Sequence, residues 1–204
     1  YVFPYIGYFH LIEAAEKIVF YDDVTFIKGG WINRNRILIN GKDNLFTIPL
    51  FQMSSSKQIN ETELHPMLFL KWKDKFFRTI RQNYSKAPYF EETINLLNDI
   101  LSTNYENVAD LAINSIISVY DYLEKEIKWT KSSVCSPITK GMEKADRIIQ
   151  ITTKLGYRNY VNVIGGEELY DKEYFKNQGV QLNFIQSKII EYKQIVKWLI
   201  YPLI

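Results

Sequence analysis

The spacing of hydrophobic positions changes twice along the chain, and each change predicts a different secondary structure. Near the start, apolar positions without Pro or Gly predict a helix over 9–17, and the apolar run Ile18–Tyr21 is typical of a buried strand. Further on, Asn40 and Gly41 lie between two apolar segments, which is the pattern of a β-hairpin or a tight loop. The first fifty residues are therefore predicted to be α/β.

From residue 67 the apolar positions recur every three or four residues, which predicts helices up to residue 128. We expect three of them, over 67–87, 91–101 and 108–127. The segment 65–86 holds six basic residues and only one acidic residue, Asp74, so its helix has a basic side. The basic side of such a helix usually faces solvent, although binding of an acidic glycan, a nucleotide or a nucleic acid would also explain these charges.

The last third of the chain returns to short apolar runs that end at glycines. In chain order we predict a helix over 144–155, a strand over 160–164, a helix over 171–177 and a strand over 180–185. Two strands separated by a loop and a helix have the spacing of a parallel crossover unit. This part is therefore predicted to contain paired parallel strands.

These patterns together predict an α/β fold with a mostly parallel, Rossmann-like sheet. The sheet would be assembled from the segments 1–60 and 140–204, with a helical insertion at about 67–128 between them. We expect residues 1–204 to form a single domain. No internal repeat or low-complexity segment interrupts this pattern.

Composition restricts the class of protein more than it identifies it. The chain of 204 residues is 47% hydrophobic and 24% charged, which is ordinary for a globular protein, and its net charge of +2 gives no global argument for nucleic acid. The single cysteine, Cys135, excludes an internal disulfide and favours a reducing compartment, so we expect a cytoplasmic location. Two histidines argue against a histidine-built metal centre, and apolar runs such as Trp198–Ile204 are too short for the roughly 20 residues of a membrane span.

The opening turn is the first candidate site. Gly7 would let a ligand approach the backbone, the start of a helix favours an anion, and His10 could act as a general base. A packing turn that needs Gly7 for its backbone angle, with a merely hydrogen-bonded histidine, would look the same. The candidate residues of this turn are Pro4, Gly7, Tyr8 and His10.

The segment 21–36 is the second candidate, because it concentrates acidic and basic side chains after a predicted strand. Either carboxylate could accept a proton, bind a metal or hydrogen-bond a ribose, and either arginine could clamp phosphate or carboxylate. Alternatively, Asp22 caps a turn and the arginines alternate on a strand with a carboxylate partner. The candidate residues are Asp22, Asp23, Lys28, Trp31, Asn33, Arg34 and Arg36.

The third candidate is the pair Gly165 and Gly166, which follows a predicted strand. Paired glycines suit close approach of the backbone to a phosphate or a small acyl group, although a plain strand-to-helix turn has the same sequence. No nucleotide-binding fingerprint is present. Cys135 has no nearby histidine in sequence and Ser133 lies in no nucleophile elbow, so nothing in the sequence favours covalent catalysis.

Several of these motifs together resemble the WbqC-like family. The resemblance is carried by Phe3-Pro-Tyr-Ile-Gly-Tyr-Phe9, Tyr21-Asp-Asp-Val24 and Lys28-Gly-Gly-Trp-Ile-Asn-Arg-Asn-Arg36, and it continues through 83–90, Asp146-Arg147 and 160–170. It thus covers nearly the whole chain in the family's order. Relatives begin with a Gln-Pro that this sequence does not contain, and they continue differently after 192–194, so we expect both ends to be trimmed.

The resemblance implies a bacterial protein of surface polysaccharide (O-antigen) biosynthesis. It implies a transferase that attaches glycine or another small amino acid to a sugar, with a sugar or nucleotide-sugar substrate and a small amino acid donor. Its cofactor stays open, and we name no metal-binding residue. Two alternatives also stay open. One is amino-acid transfer onto a modified base of phage-type DNA, with nucleic acid as a partner that is not favoured, and the other is a non-catalytic nucleotide-sugar or glycan binding protein.

On this reading each group of candidate residues has an expected role. Lys28, Arg34 and Arg36 would hold phosphate or carboxylate, and Asp22 or Asp23 would act as a base or orient the amine. The glycines would bring backbone amides to the reacting group. We expect the arginine-rich segment and the paired glycines to line one shared cavity.

Overall fold

The computed structural model of the chain describes residues 1–188, and these fall into two units. Unit 1 comprises Tyr1–Pro4 and Thr25–Glu126. Unit 2 comprises Tyr5–Val24 and the described part of Ile127–Ile189. The apolar run Trp198–Ile204 and the segment 192–194 lie outside the described residues. That the units belong to a single domain stays a prediction.

Among the described residues, helices and strands are mixed in the first and last parts of the chain, and the middle part is helical. In chain order they are α1 (Ile6–Glu13), β1 (Ile18–Phe20), β2 (Arg34–Ile39), β3 (Lys42–Thr47), α2 (Pro66–Tyr84), α3 (Phe90–Ser102), α4 (Val108–Tyr122), β4 (Trp129–Lys131), α5 (Ser132–Cys135), α6 (Lys144–Lys154), β5 (Asn159–Val163), α7 (Lys172–Asn177) and β6 (Gln181–Ile185). Three short 3-10 helices lie at Ile59–Glu61, Pro137–Thr139 and Ile164–Leu169.

The predicted hairpin is confirmed in unit 1. Strands β2 and β3 pair antiparallel, and the two-residue turn between them is formed by Asn40 and Gly41, both with positive φ (51° and 73°). Such a turn matches the twist of the two strands, which is why Asn-Gly is so strong a hairpin signal. The turn fixes the register in which Arg36 lies opposite Leu45.

The three predicted helices of unit 1 are also confirmed. His65 caps α2 by accepting a hydrogen bond from the Leu68 amide (3.2 Å), and Pro66 occupies the first turn. The last helix, α4, ends at Tyr122 rather than near 127, because Glu124 adopts a left-handed conformation with φ of 53°.

The core of unit 1 lies between the hairpin and these helices. Its fully buried members include Phe26, Ile48, Ile94, Leu101 and Leu111, and Phe46 of β3 packs against it. Burial of this apolar surface is the main force that fixes the hairpin on the helices. The basic segment 28–36 leads into β2, so Arg34 and Arg36 lie on a strand of the hairpin.

Unit 2 is built on two pairs of parallel strands. Strand β1 pairs with β4, with Phe20 opposite Lys131, and β5 pairs with β6, with Val163 opposite Ile185. The β4 strand was not predicted. A small core of Ile148, Ile149, Phe175, Val180 and Leu182 joins α6 and α7 to the β5–β6 pair.

The fold is thus mixed α/β with short parallel sheets, and two sequence-based details are corrected. The first helix begins at Ile6 rather than Phe9, because Gly7 does not interrupt it. The strands of the described residues pair in three two-stranded sheets, not in one continuous sheet. Across residues 1–188, no helix has both the length and the apolar character needed to cross a bilayer.

Candidate functional site

Acidic and hydroxyl side chains meet where β1 and β4 end. Asp22 and Asp23 come directly after β1, and Ser132 and Ser133 come directly after β4. Because the two strands run parallel in register, their carboxyl ends lie side by side, which is where open α/β proteins bind ligands. We call Asp22, Asp23, Ser132, Ser133 and Arg147 the carboxylate cluster.

Asp22 is buried and bound by the start of α5. Its Oδ2 accepts a hydrogen bond from Ser133 Oγ (2.6 Å), and its Oδ1 accepts one from the Ser133 amide (3.0 Å). Ser132 Oγ lies 3.0 Å from the same Oδ1. Ser133 is half-buried, whereas Asp22 is buried. The Ser133 hydroxyl is therefore the more accessible of the two hydrogen-bonded groups.

Asp23 is held by a buried arginine. Arg147 of α6 places Nη2 at 2.7 Å from both carboxylate oxygens, and the two side chains are only 3% and 5% exposed. The guanidinium also donates from Nε to Thr139 Oγ1 (3.1 Å), and Ser132 Oγ hydrogen-bonds Asp23. The arginine is therefore fixed in position by partners on two sides.

The pKa of Asp23 reflects two opposing effects. Burial raises the pKa, because a charged carboxylate loses its hydration. Hydrogen bonds from Ser132 and Arg147, together with the Arg147 charge, outweigh burial and lower the pKa below its ordinary value. Asp23 is therefore an ionised structural partner of Arg147 at neutral pH.

Two phenol side chains of unit 2, those of Tyr21 and Tyr160, have raised pKa values. The Arg147 guanidinium lies 4.6 Å from the centre of the Tyr21 ring, and burial raises the pKa of Tyr21 despite the nearby positive charge. Burial, and to a smaller extent the neighbours Tyr170, Tyr21 and Tyr8, raise the pKa of Tyr160 as well. These phenols stay protonated at neutral pH and can act as hydrogen-bond donors.

Side-chain packing explains the glycine of the opening turn, Gly7. Gly7 is buried, and a Cβ added to it would lie 2.2 Å from Cε2 of the Tyr5 ring. Tyr8 and His10 follow on α1 in unit 2 and are half-buried, whereas Pro4 belongs to unit 1. The small size of Gly7 thus accommodates Tyr5, and its proposed role toward a ligand stays a prediction.

The paired glycines differ from each other. Gly166 is buried, and a Cβ added to it would lie 2.6 Å from Nδ2 of Asn162. Gly165 is exposed, and an added Cβ would meet nothing within 4 Å. Gly166 is needed for packing, so only Gly165 offers backbone that a ligand could approach.

The basic segment lies in unit 1 and is partly used by the fold. Arg34 Nε donates to the Gly30 carbonyl (2.8 Å), which fastens the turn at Gly29 and Gly30. The side chain of Asn33 is buried and donates to the Ile48 carbonyl (2.8 Å). Lys28, in contrast, is exposed and has no ion pair with any residue from 1 to 188.

Arg36 is exposed and forms an ion pair with Asp43 across the hairpin. Its guanidinium lies 5.9 Å from the centre of the Trp31 ring, and that of Arg34 lies 5.6 Å from it. Arg36 also lines a pocket of about 400 Å³ between the hairpin and the helices. The pocket is largely apolar, with Phe46, Phe76, Tyr84, Pro88, Phe90 and Ile94 among its lining residues.

The predicted site residues are therefore distributed over both units. Asp22, Asp23 and the glycine pair belong to unit 2, whereas the arginines belong to unit 1. The shared cavity expected for them stays a prediction. Among residues 1–188, no group of three or more His, Cys, Asp and Glu side chains is placed to hold a metal ion.

Three members of the carboxylate cluster, Ser132, Ser133 and Arg147, were not among the site residues predicted from the sequence. Ser132 and Ser133 follow a strand of three residues, which is too short to show the alternation of apolar and polar positions that identifies a strand. Arg147 did leave a signal, because it precedes Ile148 and Ile151 on the buried side of α6. A charged side chain among buried positions requires a buried partner, and that requirement would have led to a carboxylate.

The fold and the cluster define a mixed α/β protein with buried carboxylates at the ends of parallel strands. Residues 1–199 match the WbqC-like protein family. The chain therefore belongs to that family, and the resemblance seen in its motifs is confirmed.

A protein of Mycobacterium tuberculosis (strain ATCC 25618 / H37Rv) is similar in sequence to this chain. This uncharacterized protein Rv1507c is 25% identical to the chain over 195 residues, and the match covers 94% of the chain and 82% of the relative. No solved structure is significantly similar to the chain.

Proposed function

We propose that the chain is a transferase that attaches glycine or another small amino acid to a sugar in bacterial surface polysaccharide (O-antigen) biosynthesis, acting in the cytoplasm. The observation that carries the proposal is the hydrogen bond from half-buried Ser133 Oγ to the buried Asp22 carboxylate (2.6 Å). It lies at the carboxyl ends of β1 and β4, where α/β proteins bind substrates. Membership of the WbqC-like family supports the same function.

The reaction joins an amine to an electrophilic carbon. As the C–N bond forms, the bond from that carbon to its leaving group breaks and the leaving group takes the electron pair. The amine loses one proton, which passes to Ser133 Oγ while the serine's own proton passes to Asp22 Oδ2. Relay through a positioned hydroxyl is a form of general base catalysis.

Arg147 and Asp23 have a positioning role in this proposal. Arg147 fixes Asp23, and Ser132 Oγ lies within hydrogen-bond distance of both Asp23 and Asp22. This network holds the Asp22 carboxylate in one orientation toward Ser133. Such supporting contacts maintain the geometry that a reacting group needs.

The function is tested by a product screen with isotope-labelled glycine. Glycyl adenylate and a glycyl thioester are offered with UDP-glucosamine, and free glycine is offered with UDP-glucose, with mass spectrometry as the readout. We expect one pair to give a glycine–sugar adduct and Ser133→Ala to lower its rate at least about 100-fold. Ser102→Ala, an exposed serine in α3, is the matched control and should leave the rate unchanged. A rate unaffected by Ser133→Ala would contradict the relay.

A second candidate is a non-catalytic nucleotide-sugar binding protein, and the pocket of unit 1 favours it. Its aromatic lining suits a nucleobase, and exposed Arg36 suits a phosphate. If this candidate is right, UDP-glucose binds by calorimetry, Arg36→Gln weakens the binding at least about tenfold, and no pair in the screen gives a product. Lys42→Gln, on the same hairpin, serves as the control.

We also propose a Rossmann-like arrangement with the helical lobe as an insertion. Two parallel pairs, β1–β4 and β5–β6, support it, because parallel strands need the crossover connections typical of that fold. The helices α2, α3 and α4 form one uninterrupted run between β1 and β4. An experimental structure with right-handed crossover connections in both parallel pairs is the expected result, and a left-handed crossover would contradict it.

A further inference from the structure

Helix α2 has a basic face that the fold does not use. Its buried residues are Phe69, Phe76 and Ile80, and helical geometry places four cations on the other side. We call these four the basic face: Lys71, Lys75, Arg78 and Arg81, all of them exposed. Asp74 is the single acidic residue of the helix.

The charges of the basic face are not neutralised within the described structure. None of the four side chains forms an ion pair with any residue from 1 to 188. Four like charges on one helix repel one another, which costs stability unless an external partner compensates them. A partner that compensates these charges would be negatively charged.

Exposed apolar side chains lie at the start of the same helix. Met67, Leu68 and Leu70 are 64%, 47% and 53% exposed. The Phe51 ring meets the His65 ring edge-on (5.7 Å), and the nearby Met53 is also exposed (43%). Large apolar side chains grouped in contact with water indicate an interaction surface.

We propose that this end of α2 and its basic face dock on the surface of an anionic lipid bilayer. The four cations would lie against lipid phosphates, and Met67 and Leu70 would enter the boundary between headgroups and acyl chains. A nucleic acid explains the charges but gives no role to the apolar residues. Trp72 and Phe76 stack on each other in the unit 1 core, so these rings do not stack on bases.

The test is co-sedimentation of the whole chain with vesicles. We expect binding to phosphatidylglycerol vesicles and little binding to phosphatidylcholine vesicles. Each cation near an anionic leaflet strengthens binding about fivefold, so K71E/R78E should weaken it at least about 25-fold. The matched control is K144E/K154E, which makes the same charge change on exposed lysines of α6 and should weaken binding much less.

The apolar contribution is tested separately with M67S/L70S. We expect this variant to lose binding to phosphatidylglycerol at high salt, where the charges are screened and apolar insertion remains. Circular dichroism should show unchanged folding, because both side chains are exposed. Equal binding to both kinds of vesicle, or binding to DNA and not to vesicles, would overturn the proposal. Its failure leaves the transferase screen unaffected, since the two use different residues.

Discussion

At the scale of single residues, the buried pair of Asp23 and Arg147 shows how the candidate site is held. Removing two charges from water costs free energy, and their attraction offsets this cost only while both partners are present. Both are less than a tenth exposed, whereas the Arg36–Asp43 pair is 42% and 45% exposed. Loss of the arginine should therefore cost more folding free energy in the buried Asp23–Arg147 pair than in the exposed Arg36–Asp43 pair.

Arg147→Met should lower the free energy of unfolding by about 3–5 kcal/mol, because it leaves the Asp23 carboxylate buried without its cation. Arg36→Met removes an exposed arginine and should cost no more than about 1 kcal/mol. Denaturant unfolding followed by circular dichroism compares the two variants. A similar loss in both would show that the Asp23–Arg147 pair is not buried as described.

The lowered pKa of Asp23 gives a pH dependence with a definite sign. A carboxyl whose pKa is lower in the folded chain than its unfolded value of about 3.9 stabilises the fold above that value and loses this effect as the pH falls. The difference in unfolding free energy between wild type and Asp23→Asn should therefore shrink below about pH 4. Thermal melts at about pH 6 and about pH 2.5 measure it, and a constant difference would mean that the pKa is not lowered.

At the scale of elements, what the sequence could predict depended on the length of each element. Helices α2 to α4 and the hairpin strands are long enough for their spacing of apolar residues to be recognised. The Asn40-Gly41 pair also identifies the turn of the hairpin. Strand β4 has three residues and pairs with β1 across more than 100 positions, so only folding brings them together. Ser132 and Ser133 were missed for the same reason, although their partners Asp22 and Asp23 were predicted from the sequence.

The 3-10 helix Ile164–Leu169 offers a direct test of the paired glycines. Gly166→Ala should lower the unfolding free energy by about 1 kcal/mol, because the Asn162 side chain must move and its Oδ1 then loses the hydrogen bond that it accepts from the Val163 amide (2.8 Å). Gly165→Ala meets open space and should be neutral or slightly stabilising. Denaturant midpoints give the comparison. Equal effects of the two substitutions would contradict the packing role of Gly166.

At the scale of the whole molecule, each unit has a feature suited to a different task. Unit 1 has the larger core, an aromatic pocket and the basic face of α2. Unit 2 holds the carboxylate cluster at the ends of parallel strands. The family resemblance was confirmed because its motifs are spread along nearly the whole chain, whereas the proposed chemistry rests on contacts that no local motif specifies.

Asp22 is the group that receives a proton in the proposed reaction, and the rest of the mechanism depends on this role. The measurement that tests it is a comparison of turnover and sugar affinity in Asp22→Asn, with Asp99→Asn, an exposed carboxylate of α3, as the control. Asn keeps the shape of the side chain and lacks the basic carboxylate, so turnover should fall at least about 100-fold while the dissociation constant changes less than about twofold. Undiminished turnover, or turnover and affinity lost in parallel, would contradict a role for Asp22 in the chemical step.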